Sequence, residues 1–388
     1  MKCVMSNRLP DGDILELGVH FLKFIGEDLN FTSKTIYAYR TFNVGVFIFV
    51  LFFIFANCLK QEGIALVRTV EGAITIVHML TKYVAFMNGK SEINTIITDT
   101  SKFWKPTCVS GASADVKKIY QYTKLLQRFL LIVFLVSLHF HMLKPFFNHH
   151  NVFPFNVHIG YDSIALNVII LALEYYCALI VTPIVLSYDA TYFSISVHVI
   201  TQLRLLKERI SQPSSKGRSN VELRKCIQHH QLLLSIFARM QRIYSFVLLF
   251  QYLVTLGTAC IQLYMLNTGK INPADTIELI IYLATMYGEF GYYSIPIEQI
   301  SFELSDIANA IYMSSWYDNV LETKRVLLMV MINVQVPKYL KGGGLIDVNI
   351  NAFGSVSRYL NVFRSYVIPY TFSIPVGVQE ILFFISGT

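Results

Sequence analysis

Long apolar stretches recur along this sequence, and they limit the folds that it can adopt. A transmembrane helix needs about 20 mostly apolar residues to cross the hydrocarbon core of a bilayer. Seven stretches meet or approach this length, at 42–59, 64–87, 125–147, 164–185, 243–266, 276–297 and 353–376. Only 15% of the residues are charged and 54% are hydrophobic, which is unusual for a soluble domain. The sequence therefore predicts an all-α membrane protein with seven transmembrane helices.

The positive charges are concentrated in alternate connections. The N-terminal arm contains five Lys and Arg residues, the connection 90–124 contains six, and the connection 204–242 contains nine. Each connection on the opposite side contains one lysine. Because cytoplasmic loops carry the excess of Lys and Arg, we expect a cytosolic N-terminus and, after seven spans, an extracellular C-terminus. This orientation is opposite to that of a G-protein-coupled receptor.

The C-terminal part is divided by proline and glycine. The apolar run 326–332 is too short to span a bilayer, so we expect its helix, about 314–335, to lie in the cytosol. Pro337 and the glycines at 342–344 then break the chain. The predicted regions are a cytosolic arm at 1–41, a bundle of six spans with cytosolic extensions at 42–300, a cytosolic helix at 301–341, a hinge at 342–352, and a last span with an extracellular tail at 353–388.

An apolar stripe follows the predicted cytosolic helix. It consists of Trp316, Val320, Leu327, Leu328 and Met331 at roughly helical spacing. A helix that does not enter lipid needs a protein surface to cover such a stripe. The surface belongs either to another subunit or to the bundle of the same chain.

The order of residues in this region carries a resemblance to a known family. Ser305, Tyr312, Trp316 and Tyr317 are followed by a helix that ends in Gln-Val-Pro at 335–337, a glycine turn, Phe353 and a tyrosine-rich last span. This ordered set, in a chain with seven predicted spans and an inside N-terminus, resembles the insect odorant receptor family. The sister gustatory receptors are the nearest alternative.

The resemblance implies a subunit of a tetrameric, odorant-gated, non-selective cation channel, assembled with a common co-receptor subunit. The expected location is the plasma membrane of the olfactory neuron dendrite. In such channels the penultimate helix anchors the subunits to one another, so the stripe from Trp316 to Met331 would form the anchor. The last helix lines the pore. The implied pore and gate residues are Tyr359, Val362, Tyr366, Pro369 and Tyr370.

Arg364 lies between these predicted pore residues. On a helix it is about 200° away from Tyr366, so it faces neighbouring helices if the tyrosines face the pore. An arginine in the pore would place positive charge in a cation path, which opposes cation entry. We therefore expect Arg364 to point away from the pore.

The resemblance also implies an apolar ligand cavity in the outer half of the bundle, among spans two, three, four and six. A small volatile ligand needs aromatic and aliphatic walls and one or two polar groups. The candidates are Thr75, His78 and Met79 in span two, Phe134, Leu138 and Met142 in span three, Leu171, Glu174 and Tyr175 in span four, and Tyr282, Leu283 and Met286 in span six.

Some of these candidates have a structural alternative. Glu71, Thr75, His78 and Lys82 form one polar stripe on span two, and intramembrane polar groups often mark functional sites. The same stripe fits a network of bonds between helices equally well. Glu174 stands alone among apolar neighbours, which favours a bond to another helix over a bond to a ligand.

Other classes of function are disfavoured. No metal-binding set, phosphate loop, nucleophile motif or paired catalytic carboxylates appear in the sequence, so we predict no enzyme activity and no cofactor. Basic residues in the cytosolic loops of a membrane protein follow the topology and do not indicate nucleic-acid binding. A transporter would show inverted repeats, and none is visible.

Overall fold

The structure is a computed structural model that describes residues 34–105, 112–147, 164–211, 220–267, 273–314, 316–355 and residue 358. The described part of the chain is almost entirely helical. Seven long helices follow one another: α1 Lys34–Cys58, α2 Gly63–Thr100, α3 Ala112–Phe147, α4 Ile164–Tyr176, α5 Thr182–Ser211, α6 Asn220–Asn267 and α7 Pro273–Ser305.

Several helices are longer than a bilayer requires. Helix α2 has 38 residues and α6 has 48, whereas about 20 suffice for one span. Among the described residues, the segments 36–58, 63–100, 118–136 and 222–266 are long and apolar enough to cross a membrane, and 165–179 is a shorter apolar helix. The excess length of α2 and α6 therefore extends beyond the lipid.

The fourth span does not form one uninterrupted α-helix. A π-helical segment, Cys177–Val181, separates α4 from α5, and Pro183 in the first turn of α5 supplies no amide donor to the preceding turn. Helix α5 then continues to Ser211, well beyond residue 185, where the fourth predicted span ends.

Helix α5 occupies the centre of the described bundle. It contacts α2, α3, α6, α7 and the short helix α8, Ile307–Tyr312. All of its side chains from 187 to 203 are buried. Buried hydroxyl groups here, such as those of Ser187, Thr191 and Ser194, donate to the carbonyl oxygen four residues earlier, so they need no partner in another helix.

Apolar side chains on the outside of the bundle follow helical periodicity. On α3 the exposed large apolar residues with described side chains are Tyr122, Leu125, Leu126, Phe129, Ile132 and Val136. A stripe with spacings of three and four residues covers one face of a helix. In a protein with apolar spans, this face lies against lipid.

The C-terminal region differs in detail from the expectation. The helix that was predicted to lie in the cytosol, α9, begins at Leu321 and ends at Val334, not near residue 314. A short 3₁₀ turn, Trp316–Asp318, precedes it. The Asn319 side chain donates to the Trp316 carbonyl at 3.1 Å, and this local bond competes with helix formation.

The predicted glycine hinge is a small β-hairpin. Strands β1, Lys341–Gly342, and β2, Ile346–Asp347, pair antiparallel. Gly343 and Gly344 form the turn with φ of 59° and 74°, a conformation that glycine adopts without strain. The hairpin packs on α6, where the Gly343 amide donates to the Ser245 carbonyl at 2.8 Å. A further helix starts immediately afterwards, at residue 350.

Candidate ligand cavity and its polar network

A cavity of about 470 Å³ lies between α3, α5 and α7. Most of its wall is apolar, with a polar region formed by α5 and α7. The lining residues are Gln127, Phe129, Leu131, Val133, Phe134, Leu186, Asp189, Ala190, Ile281, Ala284, Thr285, Gly288, Glu289 and Tyr292. The cavity therefore fits a small, mostly apolar molecule with one polar end.

Two carboxylates at this cavity are joined to one buried lysine. The Lys82 ammonium, on α2, donates to both oxygens of Asp189 at 2.9 and 2.7 Å and also to Glu289. The Tyr293 hydroxyl donates to Asp189 as well. Lys82 is 0% exposed. Buried charges are tolerated when they are paired and hydrogen-bonded in this way.

A second set of polar groups extends the network towards α6. Gln251 on α6 contacts His78 at 2.6 Å through its carbonyl oxygen and donates to Glu289 at 3.2 Å through its amide. His78 also lies 4.0 Å from Glu289. These bonds hold α2, α6 and α7 in one register.

The remaining polar residues of the α2 stripe also bond to other helices. The Glu71 carboxylate accepts from Gln262 on α6, and the Thr75 hydroxyl lies 2.7 Å from the Tyr282 hydroxyl on α7. All four polar residues of the stripe thus form inter-helix bonds, as expected if the stripe is a structural network between helices.

The predicted ligand residues are divided among several places. Phe134 lines the cavity. The other candidates with described side chains are not among its lining residues: Met79, Met142, Glu174, Leu283 and Met286 are buried, and Leu171 and Tyr175 are partly buried in the core. The Tyr175 hydroxyl donates to the Met142 carbonyl at 2.8 Å. The side chain of Leu138 lies outside the described part of the chain.

Sequence reasoning did not select Asp189 and Glu289. Glu289 lies within the sixth predicted span, and an ionisable residue at that depth is by itself a signal of a functional site. Asp189 lies just beyond the predicted end of span four, in a helix that was expected to continue into the cytosol. The structure instead buries it beside the cavity.

Helix α7 connects the cavity to the helix that starts at residue 350. The Tyr287 hydroxyl donates to the Phe353 carbonyl at 2.9 Å, and the two rings lie 4.6 Å apart between centroids. A Cβ at Gly291 would lie 3.3 Å from the Phe353 ring. Because neighbouring residues of α7 line the cavity, movement of α7 would reach Phe353 directly.

The predicted anchor stripe has two different environments. Leu327 is 2% exposed and packs into the core with Trp316 and Met331, whereas Val320 and Leu328 are 59% and 47% exposed. One side of α9 thus covers the chain's own bundle, and the other side is open. The predicted pore residues, Tyr359 to Tyr370, lie outside the described residues.

A cluster of ion pairs lies at the end of α7 beside α5. Lys207 bonds to Glu303 and, at 2.6 Å, to Asp306, while Arg204 bonds to Glu303 at 2.6 Å. The hydrogen bond from Lys207 lowers the pKa of the Asp306 carboxyl below its ordinary value of 3.8. In the parts of the chain that the structure describes, no three His, Cys, Asp or Glu side chains are arranged to hold a metal ion.

A family model with the description "7tm Odorant receptor" matches residues 63–360, which is most of the chain. The chain belongs to the odorant receptor family. The match includes the seven long helices except α1 and covers all the residues of the cavity and its polar network. The resemblance stated from the sequence is thereby confirmed, and the members of this family are odorant-gated channels and not enzymes.

Individual relatives agree with the family assignment. Putative odorant receptor 19b of Drosophila melanogaster is 24% identical over 169 residues, which is 43% of this chain and 44% of that protein. Odorant receptor 82a of the same organism is 21% identical over 171 residues, or 42% and 44% of the two chains. The matched part thus spans less than half the length of these curated relatives.

Solved structures confirm the fold. The insect olfactory receptor OR5 from Machilis hrabei superposes with a TM-score of 0.77 at 14% identity, and the alignment covers 92% of this chain and 98% of that one. The same receptor in complex with eugenol gives a TM-score of 0.76. This odorant receptor family member therefore has the seven-transmembrane fold of a multi-pass membrane protein.

Proposed function

We propose that this chain is the odorant-binding subunit of a ligand-gated, non-selective cation channel. It acts in the plasma membrane of olfactory neuron dendrites and assembles with a co-receptor subunit into a heterotetramer. The match to the odorant receptor family over 63–360 is the observation that carries this proposal. The seven-transmembrane fold shared with an insect olfactory receptor supports it.

The ligand is a small volatile molecule that binds in the cavity between α3, α5 and α7. A volume of about 470 Å³ lies within the usual range of small-molecule sites. The aromatic and aliphatic walls suit an apolar body. The other predicted ligand residues with described side chains lie outside this cavity, and two of them, Thr75 and Tyr282, are bonded to each other.

Opening of the pore follows from a shift of α7. One face of α7 lines the cavity, and Tyr287 on another face bonds to Phe353 at the start of the last helix. A ligand that binds the open arrangement better shifts the population towards it. The last helix forms the pore wall, Tyr366 and Tyr370 form the gate, and Arg364 faces neighbouring helices.

Subunits are joined through α9. Its open side carries apolar residues that need cover in an aqueous environment. These residues include Val320 and Leu328 of the predicted anchor, together with Leu321, Met329 and Ile332. The buried side, with Leu327, fixes α9 to its own bundle.

Filling the cavity tests where the ligand binds. A Cβ added at Gly288 would meet nothing within 4 Å, and Gly288 lines the cavity. The Gly288→Leu variant would therefore occupy the ligand's space. Gly257 on α6 is equally open but lies away from the cavity, so Gly257→Leu is the matched control. We expect odorant-evoked current to be lost in the first variant and retained in the second, at equal surface expression; retention in both would place the ligand elsewhere.

Three alternative functions predict different recordings. A G-protein-coupled receptor would need a G protein for its response, and a transporter would give a substrate-coupled flux instead of channel openings. A gustatory-type channel would respond to non-volatile tastants. Rapid odorant-evoked currents that persist when G-protein signalling is blocked distinguish the proposed channel from these alternatives.

A further inference from the structure

The hydrogen-bonding capacity of the cavity's polar end is strongly one-sided. Asp189 and Glu289 line this end, and ionised carboxylates only accept hydrogen bonds. The donors in their vicinity are Lys82, Tyr293 and Gln251. Whether these donors are free decides which ligands the cavity can recognise.

The Lys82 ammonium has no donor left for a ligand. It carries three N–H groups, and it makes three bonds, two to Asp189 and one to Glu289. The Tyr293 hydroxyl is likewise committed to Asp189. A ligand that approaches this network from the cavity therefore meets carboxylate oxygens and not a free ammonium group.

Two of the three other polar groups of the wall, Thr285 and Gln127, also use their donors within the protein. The Thr285 hydroxyl donates to the Ile281 carbonyl at 2.8 Å. The Gln127 amide donates to the Ser194 hydroxyl at 2.9 Å and to the Ala190 carbonyl at 3.4 Å. The Tyr292 hydroxyl can donate or accept, so it is the group of the wall that would bind a ligand that only accepts hydrogen bonds.

Acceptor capacity remains at the two carboxylates. Together they offer about eight lone-pair positions, and they receive three bonds from Lys82, one from Tyr293 and one from Gln251. Two carboxylates and one ammonium also leave an excess of negative charge. His78 lies 4.0 Å from Glu289. Protonation of His78 would cancel the excess negative charge, but the remaining lone pairs of the two carboxylates would stay available to a ligand.

We infer that the cavity selects volatile molecules whose polar end donates a hydrogen bond, through an N–H or O–H group, over molecules that only accept. Amines, alcohols and phenols belong to the first class, and esters, ketones and ethers to the second. The donating group lies at Asp189 and Glu289, and the hydrocarbon body lies against Phe134, Leu186 and Ile281. This inference rests on the proposed function and adds the chemical class of the ligand.

The physical reason is the cost of desolvation. A ligand that donates to a carboxylate replaces the hydrogen bond that water would make there, and bonds to charged groups are the stronger ones. An ester or ketone at the same place would set its oxygen against the carboxylate oxygens and leave the ligand's acceptor and the remaining carboxylate lone pairs without a donor. A difference of about tenfold or more in half-maximal concentration is expected between the two classes.

The test compares ligands that each have six carbon atoms and differ in their polar group. The chain is co-expressed with the co-receptor, and currents are recorded for hexylamine, hexanol, hexanone and pentyl methyl ether, together with a broad panel of amines, alcohols, phenols, esters and terpenoids. Each active alcohol or phenol is compared with its methyl ether. We expect the donor of each pair to be at least about tenfold more potent.

Three variants locate the origin of this preference. Glu289→Gln replaces an acceptor by a group that also donates, so it reduces the preference for donors. Tyr292→Phe removes the competing hydroxyl and leaves the preference intact. Thr81→Val is a control, because its hydroxyl is already bonded to the backbone and it does not line the cavity. Surface labelling shows whether each variant reaches the membrane. If Glu289→Gln does not reach the membrane, the ligand series on the unchanged chain still decides the question.

The outcomes separate this inference from the proposed function. If the most potent agonists only accept hydrogen bonds, or if methyl ethers equal their parent alcohols, the inference is wrong while the channel function stands. The same holds if Tyr292→Phe abolishes the preference. If no compound of the panel evokes a current, the proposed function itself fails.

Discussion

Removal of the Lys82 ammonium is the most informative change to the bundle. Lys82→Met keeps an unbranched side chain of similar length and removes only the charge and its donors. The three bonds to Asp189 and Glu289 would be lost together. Two carboxylates would then remain in the bundle without their counter-charge.

The size of the effect follows from this burial. Removing one partner of a buried ion pair costs about 3–5 kcal/mol. A carboxylate that loses its partner can instead take up a proton, which costs about 4 kcal/mol at neutral pH for an ordinary carboxyl group. Both estimates agree, so the free energy of unfolding should fall by about 4 kcal/mol.

Thermal unfolding of the solubilised protein measures this loss. We expect the midpoint of Lys82→Met to fall by roughly 5 °C or more. Lys102 pairs with Asp99 at 2.6 Å, but its side chain is 55% exposed, so Lys102→Met should cost less than about 1 kcal/mol. Adding Asp189→Asn and Glu289→Gln to Lys82→Met should restore part of the stability. An unchanged midpoint for Lys82→Met would refute the assignment of a buried charge network.

Three further predictions concern other contacts. Gly89→Ala should destabilise the bundle by about 1–3 kcal/mol, because the new Cβ would lie 2.9 Å from a side-chain carbon of α6. Gly257→Ala, in open space, is the control and should be neutral or stabilising. Equal thermal-unfolding midpoints for the two variants would contradict this packing. Tyr287→Phe should cost about 1 kcal/mol and shift the odorant dose–response curve. Because the pKa of Asp306 is lowered, its bond to Lys207 stabilises the fold at pH values above the ordinary carboxyl pKa, and this stabilisation is lost as the pH falls through the lowered pKa. The thermal-unfolding midpoint should therefore change less between neutral and acidic pH in Asp306→Asn than in the unchanged chain.

The general fold was accessible from the sequence because each span carries its own signal. Apolar length predicted the seven-transmembrane class, and the ordered residues from Ser305 to Phe353 predicted the family, which the family match confirms. The positions of Pro337 and the glycines at 342–344 predicted a break before the last helix. The structure forms a hairpin there, and its strands are too short to produce a recognisable pattern.

Only half of the polar network could be predicted from the sequence. The stripe from Glu71 to Lys82 is visible on one helix, but its partners lie on α5, α6 and α7, more than a hundred residues away in sequence. The pairing depends on how the helices are rotated, and local periodicity does not determine that rotation. Asp189 lies beyond the predicted end of the fourth span at residue 185, and its burial depends on how the other helices pack around α5, which the local sequence does not show.

The orientation of the chain and the division of its C-terminal region remain predictions. The excess of Lys and Arg in alternate connections supports a cytosolic N-terminus. Labelling of a tag placed at the N-terminus, with and without permeabilisation, would decide it: access only after permeabilisation agrees with the prediction.

Whole-cell recording from a heterologous cell that expresses this chain with the co-receptor is the direct test of the proposed channel function. We expect rapid cation currents, evoked by small volatile molecules, that need no G protein and disappear in Gly288→Leu but not in Gly257→Leu. The absence of any current across a broad odorant panel, with both subunits at the cell surface, would contradict it.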